Sequence, residues 1–444
     1  MTVRDRATEI VRTLQSAGYE TYWVGGSVRD LLLGGQPNDY DIVTSAPPED
    51  VQRLFPDHFL AGKAFGVVTA TFPEGLFEIA TFRREANYTD RRRPDTVAWA
   101  DAKADVLRRD FTVNGLLYDP LTETVIDHVD GQRDLRLRLI RFIGDPEQRV
   151  LEDPLRLLRA IRLKCQLDFQ YDKPTYEALR RQAPEIRHVA AERVRDELAR
   201  MWAGPRRASA LHDLDQVGLL QAILPEVDNL KGTPQPYEFH REGDVFEHTS
   251  QAVAALPSDA PSFLVWATLL HDVAKPATLT YPSGSQGRIS SRSHSDTSAV
   301  MAGAILRRLR APKAEIETVA WLIGHHMRLA DIEHMRPARQ EAYVLDPRFP
   351  WLLELLRADA TGTTPTDLSL YAHDLKLYER LKANHERQVR ERPPLLLNGH
   401  DLQTELGLEP GPKIGELLEQ VRDAQLHGQV KTKTEALKFV RGLL

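Results

Sequence analysis

The chain has 444 residues, of which 42% are hydrophobic and 27% are charged, and its formal net charge at pH 7 is −6. These values are typical of a soluble globular protein of about two to four domains, and they argue against a protein that coats DNA uniformly. The single cysteine, Cys165, excludes a disulfide framework and a cysteine-based metal site.

The first residues, MTVRDRATEIVRTL, lack an apolar signal core, and no run of about 18 apolar residues follows. We therefore expect a cytoplasmic protein with no membrane partner. Arginines are concentrated in the first half of the chain, in runs between Arg91 and Arg162. Although a single run usually forms a solvated face, this concentration indicates a surface for nucleic acid.

In chain order, the predicted elements begin with a helix, because Ile10, Val11, Leu14 and Ala17 recur at helical spacing. Short segments with strand character follow, separated by turn formers: TYWVGG, YDIVT, FGVVTATF, LFEIATF and ETVIDHV. From LEDPLRLLRAIRL onward the pattern is helical. Proline and glycine interrupt it near 204–205, 231–236 and 392–394. The sequence therefore predicts an α+β fold, with a small mixed sheet before about residue 145 and mostly helical units after it.

Asp39 and Asp41 stand two residues apart in a strand-like segment that follows Gly25, Gly26 and a predicted helix, SVRDLLL. Side chains at positions i and i+2 of a strand point to one face, where two carboxylates repel each other unless a cation lies between them. Mg²⁺ takes oxygen ligands and keeps positions open for phosphates. Glycines before a helix let a phosphate approach the backbone. The arrangement favours nucleotide transfer over its alternative, a pair of solvated loop aspartates.

The stretch GGSVRDLLLG…NDYDIVTSA resembles the signature of class II tRNA nucleotidyltransferases and bacterial poly(A) polymerases, which belong to the DNA polymerase β-like superfamily. LRRDFTVNGLLYDP is similar to the second motif of that family, LEDPLRLLRAIRL to its base-selecting motif, and AERVRDELARM to the helix that follows. PPLLLNGHDL…GPKIGELL resembles the C-terminal segment of the CCA-adding branch. The resemblance implies a nucleotidyltransferase head over 1–143, a helical neck over 144–230, a helical HD domain over 231–375 and a tRNA-binding tail over 376–444.

The resemblance also implies roles in the head. Asp39 and Asp41 would hold Mg²⁺, and Glu78, in LFEIATF, is the candidate for a third catalytic carboxylate; its alternative is a charge at the edge of a strand. The residues expected to bind the sugar and phosphates of the nucleotide are Gly26, Arg29, Arg109, Asp110 and Asn114.

Asp153 and Arg156 are spaced i and i+3, which places both on one face of a helix. From spacing alone, the interpretation of Asp153 and Arg156 is an ordinary surface ion pair. The resemblance implies that they read the Watson–Crick edge of CTP or ATP, assisted by Arg159 on the same face. Cytosine and adenine share an exocyclic amine that a carboxylate accepts, whereas UTP and GTP present the wrong pattern.

The stretch FRREANYTDRRRPDTV, residues 82–97, resembles the flexible loop that the family uses to switch from C addition to A addition. Family members that stop after CC tend to have a shortened loop. Because the loop has its full length here, the resemblance favours complete CCA addition.

A second cluster of histidines and aspartates lies between residues 240 and 360, in VFEHT, LLHDVAK, SRSHSDTSA, IGHHM and LLRADA. A histidine, an adjacent His-Asp on an apolar helix, further histidines and a late aspartate resemble the HD-type phosphohydrolases over about 238–365. The implied ligands of a divalent transition metal such as Ni²⁺ or Mn²⁺ are His248, His271, Asp272, His294, His326 and Asp359. The alternative is a degenerate helical domain that only binds tRNA.

The resemblance implies an enzyme that adds C, C and A to the 3′ end of tRNA from CTP and ATP, with an attached metal phosphohydrolase and no DNA partner. Partial CC-adding or A-adding enzymes and a poly(A) polymerase are the nearest alternatives. A regulatory uridylyltransferase also joins a nucleotidyltransferase to an HD domain, but it lacks the base-selecting helix. The intact Asp-x-Asp and Arg-Arg-Asp motifs count against a non-catalytic RNA-binding protein.

Overall fold

The computed structural model describes residues 1–62, 66–86, 96–281, 289–291, 293–391, 395–426 and 429–444. The chain divides into two compact units, of which the first comprises Met1–Ala330 with Pro350–Leu368 and the second Asp331–Phe349 with Ser369–Leu444. Within the described ranges every strand lies before Asp172, and the remainder is helical. The predicted α+β class is therefore confirmed.

The strands of the first unit form where β-branched and aromatic residues cluster, as in TYWV, DIVT and VVTATF. They are β1 Thr21–Val24, β2 Asp41–Thr44, β3 His58–Gly62, β4 Val67–Phe72, β5 Gly75–Thr81, β6 Arg83–Ala86, β7 Thr96–Trp99, β8 Leu116–Asp119, β9 Thr124–Asp127, β10 Leu139–Ile140 and β11 Gln170–Tyr171. Seven of them form one mixed sheet in the order β3-β4-β5-β2-β1-β8-β9. Only the β2–β5 pair of this sheet is parallel. The central position of β1 and β2 places their ends in the middle of the sheet.

The first helix, α1 Val3–Ser16, begins at a capping box formed by Thr2 and Asp5. It buries Ala7, Ile10, Val11 and Leu14, which is the apolar face that the spacing predicts, whereas Ala17 lies beyond its last turn. The other helices around the sheet are α2 Gly26–Leu32, α3 Pro48–Leu54, α4 Ala102–Leu107, a 3₁₀ helix Thr112–Asn114 and α5 Gly131–Leu137.

The next helices continue the first unit. They are α6 Pro146–Glu152, α7 Arg156–Leu167, α8 Lys173–Gln182, a 3₁₀ helix Ala183–His188, α9 Ala191–Trp202, α10 Arg207–Gln216, α11 Leu219–Ile223 and α12 Pro225–Asp228. The sequence predicts a continuous helix over LEDPLRLLRAIRL, and this prediction is wrong. In the structure α6 ends at Glu152 and α7 begins at Arg156. Asp153 has φ −149° and ψ 100°, an extended conformation that Pro154 favours in the residue before it.

The histidine-rich part of the first unit contains α13 Val245–Ala254, α14 Ser262–Leu270, α15 Lys275–Thr278, α16 His294–Arg308 and α17 Lys313–His325. It also contains a 3₁₀ helix His326–His334 as far as Ala330, and α19 Phe349–Gly362 from Pro350 onward. Helix α14 is almost wholly apolar and buried. His271 and Asp272, predicted on a helix, instead follow directly after its last turn. The predicted linker at 231–236 lies in the non-helical segment between α12 and α13.

The second unit contains α18 Pro337–Val344, α20 Ser369–Glu391, α21 Gly399–Leu406, α22 Pro412–Leu426 and α23 Lys433–Arg441. Apolar residues of its C-terminal part pack into one core: Leu397, Leu402, Ile414, Leu417, Val421, Ala436 and Val440. Among the described residues of the whole chain, none of the helices has the length and apolar character needed to cross a membrane.

Candidate active site and candidate metal centre

The end of β1 and the start of β2 meet in the middle of the sheet, since the antiparallel register pairs Val24 with Asp41. Gly25 follows β1 with φ +78°, a conformation that glycine adopts without strain. A Cβ atom at Gly25 would lie 3.5 Å from Asp41 Oδ2 and 3.9 Å from Arg109 Nη1. The register and the turn thus bring a carboxylate and a guanidinium group to the same backbone position.

Asp39 precedes β2 rather than lying within it, which corrects the prediction that both aspartates are strand residues. The alternation nevertheless continues, because Tyr40 is buried against Trp23, at 4.5 Å between ring centroids, whereas Asp39 and Asp41 are exposed. The pKa of Asp41 is raised, because desolvation outweighs the effect of Arg109 and because the charges of Glu78 and Asp39 add to it. The local field therefore favours a bound cation.

Glu78 lies on β5, which is parallel to β2 with Ile42 opposite Ile79. This register places Asp41 opposite Glu78. Because side chains alternate along a strand, both point to the face of the sheet opposite to that of Ile42 and Ile79. Glu78 is exposed, and its charge acts on the pKa of Asp41. The three carboxylates offer only oxygen donors, the type that Mg²⁺ prefers, and they fit such an ion.

Arg109 is held by a buried carboxylate. Asp105, on α4, accepts hydrogen bonds from Arg109 Nη2 at 2.9 Å and Nε at 3.2 Å, and from Arg108 Nη2 at 2.6 Å. Burial opposes the ionised form of Asp105, but the two arginines lower its pKa. Because Nη2 and Nε are fixed in this way, Nη1 of Arg109 lies on the Gly25 side of the site.

The other predicted nucleotide-binding residues of the head form a continuous hydrogen-bonded chain. Arg159 donates through Nε to Asp110 Oδ2 at 2.8 Å, and Asn114 Nδ2 lies 3.5 Å from Asp110 Oδ1. Arg29 Nη1 donates to Asn114 Oδ1 at 2.8 Å, and the Arg29 guanidinium lies 3.5 Å from where a Cβ of Gly26 would stand. Burial opposes ionisation of Asp110, but Arg159 holds its pKa well below the usual range.

The side chains of Asp153 and Arg156 bind different partners, although the backbone N–H of Arg156 donates to the Asp153 carbonyl at 3.0 Å. Both oxygens of Asp153 accept hydrogen bonds from Arg193, at 3.1 and 2.8 Å, and Arg193 lies on α9. Arg156 is buried, and its Nη1 donates to Glu152 Oε2 at 2.6 Å and to the carbonyl of Arg149 at 2.7 Å. The expectation of a shared helix face is therefore wrong, because the break at Pro154 separates the two residues.

Two of these partners escaped the sequence reasoning. Arg193 belongs to AERVRDELARM, a stretch that the family resemblance marks, but nothing local shows which carboxylate it contacts. Arg149 lies on α6 and donates through Nη2 to the carbonyls of Arg108 and Arg109, the latter at 2.7 Å. It thereby fixes the backbone that carries the Arg109 side chain.

The predicted residues of the histidine cluster converge from five segments of the first unit. Asp359 Oδ1, on α19, lies 2.9 Å from His248 Nε2 and 3.5 Å from His271 Nε2. Asp272 lies 3.2 Å from His271 Nε2 through Oδ2 and 3.1 Å from His294 Nε2 through Oδ1. The remaining histidine, His326, approaches His294 with an Nε2–Nε2 distance of 3.2 Å.

The other ring nitrogen of each histidine is fixed by an acceptor. Nδ1 of His271, His294 and His326 lies 2.7 Å from a backbone carbonyl of the preceding turn. Nδ1 of His248 lies 3.1 Å from Oε1 of Glu242. When Nδ1 donates in this way and the ring is neutral, Nε2 carries the lone pair and faces the centre, as in metal-binding histidines.

The predicted ligands form two groups of three atoms, each group within 4.8 Å: His248, His271 and Asp359 in one, and Asp272, His294 and His326 in the other. A third group of this kind joins His248 to His240 and Glu242. The buried Nε2 of His271 and both oxygens of Asp272 lack a hydrogen bond of good geometry. Mixed nitrogen and oxygen donors suit a divalent transition metal. The residues therefore fit such an ion.

Charge within this cluster is compensated by its own members. Burial would lower the pKa of His271, but Asp272 and Asp359 raise it to about 10. Burial and the charge of His271 lower the pKa of His326 to about 4. The imidazoles hold the pKa of Asp359 and, together with Lys275, that of Asp272 well below their usual range, although burial opposes this.

Three functional candidates near the cluster were missed from the sequence: Glu242, His240 and Lys275. The side chain of Glu242 is buried, its Oε1 lies 2.7 Å from His240 Nδ1, and its Oε2 accepts from the backbone of Thr364 at 2.8 Å. Lys275 Nζ lies 2.6 Å from Asp272 Oδ2, and the i, i+3 spacing after Asp272 was a usable signal. A cavity of about 530 Å³ opens over the cluster, and Phe239, His240 and Lys275 are among its lining residues.

The predicted loop at 82–97 is described only at its two ends. Residues 87–95 lie outside the described ranges. The ends form a separate antiparallel ribbon, in which β6 pairs with β7 and Arg83 stands opposite Trp99.

Comparisons with known proteins extend over nearly the whole chain. Family models match residues 21–141 as the poly A polymerase head domain, 168–231 as an RNA and SrmB-binding site of polymerase A, and 295–440 as tRNA nucleotidyltransferase domain 2. An A-adding tRNA nucleotidyltransferase of Deinococcus radiodurans is 33% identical over 94% of this chain and 94% of its own length. A CCA-adding enzyme of Geobacillus stearothermophilus is 30% identical over 97% of this chain and 95% of its own length.

Among solved structures, the Bacillus stearothermophilus CCA-adding enzyme in complex with CTP matches with a TM-score of 0.63 and 26% identity, over 100% of this chain and 98% of that one. The resemblance of the histidine cluster to HD-type phosphohydrolases stays a prediction. The predicted family of the whole chain is confirmed: the chain belongs to the family of tRNA nucleotidyltransferases and poly(A) polymerases.

Proposed function

We propose that the chain adds C, C and A to the 3′ end of tRNA, with CTP and ATP as substrates. The carrying observation is the position of Asp41 beside Gly25 and Arg109, where desolvation and the charges of Glu78 and Asp39 raise its pKa. Such a site places a carboxylate that can bind a metal cation beside a guanidinium group that can bind phosphate. The full-length relatives named as CCA-adding and A-adding enzymes support the substrate class.

In this reaction the 3′ oxygen of tRNA bonds to the α-phosphorus of the nucleotide, and the bond to pyrophosphate breaks. Asp39, Asp41 and Glu78 would hold Mg²⁺, which when bound stabilises the charge of an in-line displacement. Arg109 binds the phosphates, because its guanidinium is fixed by Asp105 and faces Gly25. Asn114 and Arg29 orient the ribose, since an amide both donates and accepts hydrogen bonds.

Base choice rests on Asp153 and Arg156. Asp153 accepts the exocyclic amine that cytosine and adenine share. Nη1 of Arg156 is occupied by Glu152 and the Arg149 carbonyl, and Nη2 lies 3.4 Å from the Arg108 carbonyl, so a base is read by Nε or by the second N–H of Nη2. Arg159 supports this region through its pair with Asp110.

A single gel tests the proposal. Transcripts of one tRNA that lack CCA, or end in C or in CC, are incubated with CTP alone, ATP alone and both. We expect three added nucleotides on the shortest transcript only when both nucleotides are present. Extension of only the CC-ending transcript, by ATP, would show an A-adding enzyme. A stop at CC would show a CC-adding enzyme, and long A tails a poly(A) polymerase.

A second function is favoured by the two groups of three ligand atoms in the histidine cluster. A divalent transition metal bound there would supply a Lewis acid for hydrolysis of a phosphate ester. The chain's own residues orient the ligands through their Nδ1 contacts and open a cavity of about 530 Å³ over them. The assay is hydrolysis of 2′,3′-cyclic AMP and 3′-AMP with Ni²⁺, Mn²⁺ or Co²⁺. Absence of hydrolysis with all three metals would leave the cluster a structural part of a tRNA-binding domain.

The partners implied by this proposal are tRNA, CTP and ATP. A cytoplasmic location follows from action on tRNA and stays a prediction.

A further inference from the structure

Arg193 contacts the carboxylate that the proposed function assigns to base choice. Its two terminal nitrogens donate to the two oxygens of Asp153, Nη1 to Oδ1 at 3.1 Å and Nη2 to Oδ2 at 2.8 Å. The two side chains are 23% and 18% exposed, so the pair is shielded but remains accessible to a nucleotide. A two-pronged pair of this kind fixes the plane of the carboxylate as well as its position.

A third donor completes the environment of Asp153. The backbone N–H of Leu155 donates to Oδ1 at 3.2 Å, in the turn between α6 and α7. An ionised carboxylate has about four lone-pair sites. Arg193 and Leu155 together use two on Oδ1, and Arg193 uses one on Oδ2. Counting donors in the described part of the chain, one acceptor site is left, on Oδ2.

From this count we propose that Arg193 is a positioning residue for base selection, which leaves Asp153 with a single acceptor site on Oδ2 in a fixed plane. The inference rests on the proposed reading of bases by Asp153. A single fixed acceptor matches one N–H of the exocyclic amine of cytosine or adenine. At the same place uracil and guanine present a carbonyl oxygen, which meets an acceptor that cannot turn away.

The guanidinium fork is needed for this effect, and positive charge alone is not enough. Lysine at position 193 would keep the positive charge, but its ammonium group is a point charge that cannot donate to both carboxylate oxygens in a fixed plane. The carboxylate of Asp153 could then rotate. Rotation lets Asp153 avoid the carbonyl of a wrong base. We therefore expect relaxed selection with addition retained.

The experiment compares Arg193→Lys with Asp153→Ala and with a matched control, Arg195→Lys. Arg195 lies on the same helix, is also 23% exposed and pairs with Asp196 at 2.7 Å. Single-nucleotide addition to tRNA lacking CCA is measured with CTP and with UTP, and the ratio of kcat/KM gives the selectivity. We expect this ratio to fall about tenfold in Arg193→Lys, the effect of about one hydrogen bond to a charged group, and to stay unchanged in Arg195→Lys.

The outcomes separate the inference from the function on which it rests. If Asp153→Ala lowers selectivity and Arg193→Lys does not, the positioning role of Arg193 is wrong and base reading by Asp153 stands. If Asp153→Ala leaves selectivity unchanged, base reading by Asp153 fails and the inference fails with it. Arg193→Gln, which keeps a donor without charge, replaces the lysine variant if the melting temperature shows that the latter does not fold.

Discussion

The two candidate sites of the first unit handle negative charge in opposite ways. In the head, Asp39, Asp41 and Glu78 reach the solvent, but partial desolvation of Asp41, with a smaller effect from the charges of Glu78 and Asp39, raises its pKa. In the histidine cluster, His271 and Asp272 are only 1% and 2% exposed. There the imidazoles and the carboxylates stabilise one another's charged forms.

The reason for the difference is solvation. Buried charges are costly unless they are paired and hydrogen-bonded, so a buried cluster must be assembled and compensated by the fold itself. The carboxylates of the head reach the solvent, where a cation can bind them, so the fold need not compensate their charges internally. Each compact group of three potential ligands in the described residues belongs to the histidine cluster. We expect the head to complete its site only with the ion and the nucleotide, and the cluster to be preorganised without them.

The largest effect that would test this comparison is expected from Asp41→Asn. This change removes the charge at the centre of the head while keeping the shape of the side chain. We expect nucleotide addition to fall about a thousandfold or more, with the melting temperature retained because Asp41 is exposed. Primer extension with Mg²⁺ measures the loss, and Glu49→Gln, an exposed carboxylate on α3, is the control. Near wild-type addition by Asp41→Asn would refute the site.

The double variant His271→Ala with Asp272→Ala tests the independence of the two sites. We expect hydrolysis of phosphate esters to fall about a hundredfold or more. Addition to tRNA should stay within about twofold, because the hydrogen bonds and ion pairs described for the two sites involve different residues, and sites without shared partners act independently. Bound metal is measured in the same preparations. A folded double variant that loses addition would show that the histidine cluster serves to position tRNA.

Glu242→Gln sharpens the comparison within the buried site. Oε1 of Glu242 lies near Nδ1 of both His240 and His248, and hydrogen bonds from the two histidines and the Thr364 backbone lower its pKa to about 2, although burial opposes this. A glutamine cannot accept all three hydrogen bonds. We expect affinity for Mn²⁺ to fall about 10- to 100-fold, as for other groups that orient a metal ligand. Titration calorimetry measures it, and unchanged affinity would contradict an orienting role.

The smallest effect expected is a dependence of metal binding on pH. His271 has a pKa of about 10 in the metal-free protein, so it is protonated at pH 7. A metal ligand must be neutral, and binding to His271 therefore releases about one proton. The apparent affinity should rise about tenfold per pH unit below that pKa. Calorimetry in buffers of different ionisation enthalpy measures the proton count, and a count of zero would show that His271 is not a ligand.

The predictable part of the molecule is the local part. Apolar spacing located α1, and β-branched runs located β1, β2 and β5, because these patterns act over a few residues. Motif residues far apart in the sequence, such as Gly25, Asp41 and Arg109, were marked by the family resemblance before the sheet brought them together. The α+β class and the identity of the candidate ligands follow from the sequence by itself.

Partners across long separations were decided only by the tertiary structure. The i, i+3 spacing predicts that Asp153 and Arg156 share one helix face. In the structure the helix ends before Asp153, and Arg193 of α9 donates to the Asp153 carboxylate instead. Likewise, nothing near Glu242 indicates that it is buried against His248. Periodicity reports which face of an element is apolar. Which charged side chains form pairs depends on how elements that are dozens of residues apart pack against each other. Because burying an unpaired charge is costly, the fold favours the packing in which buried charges are paired.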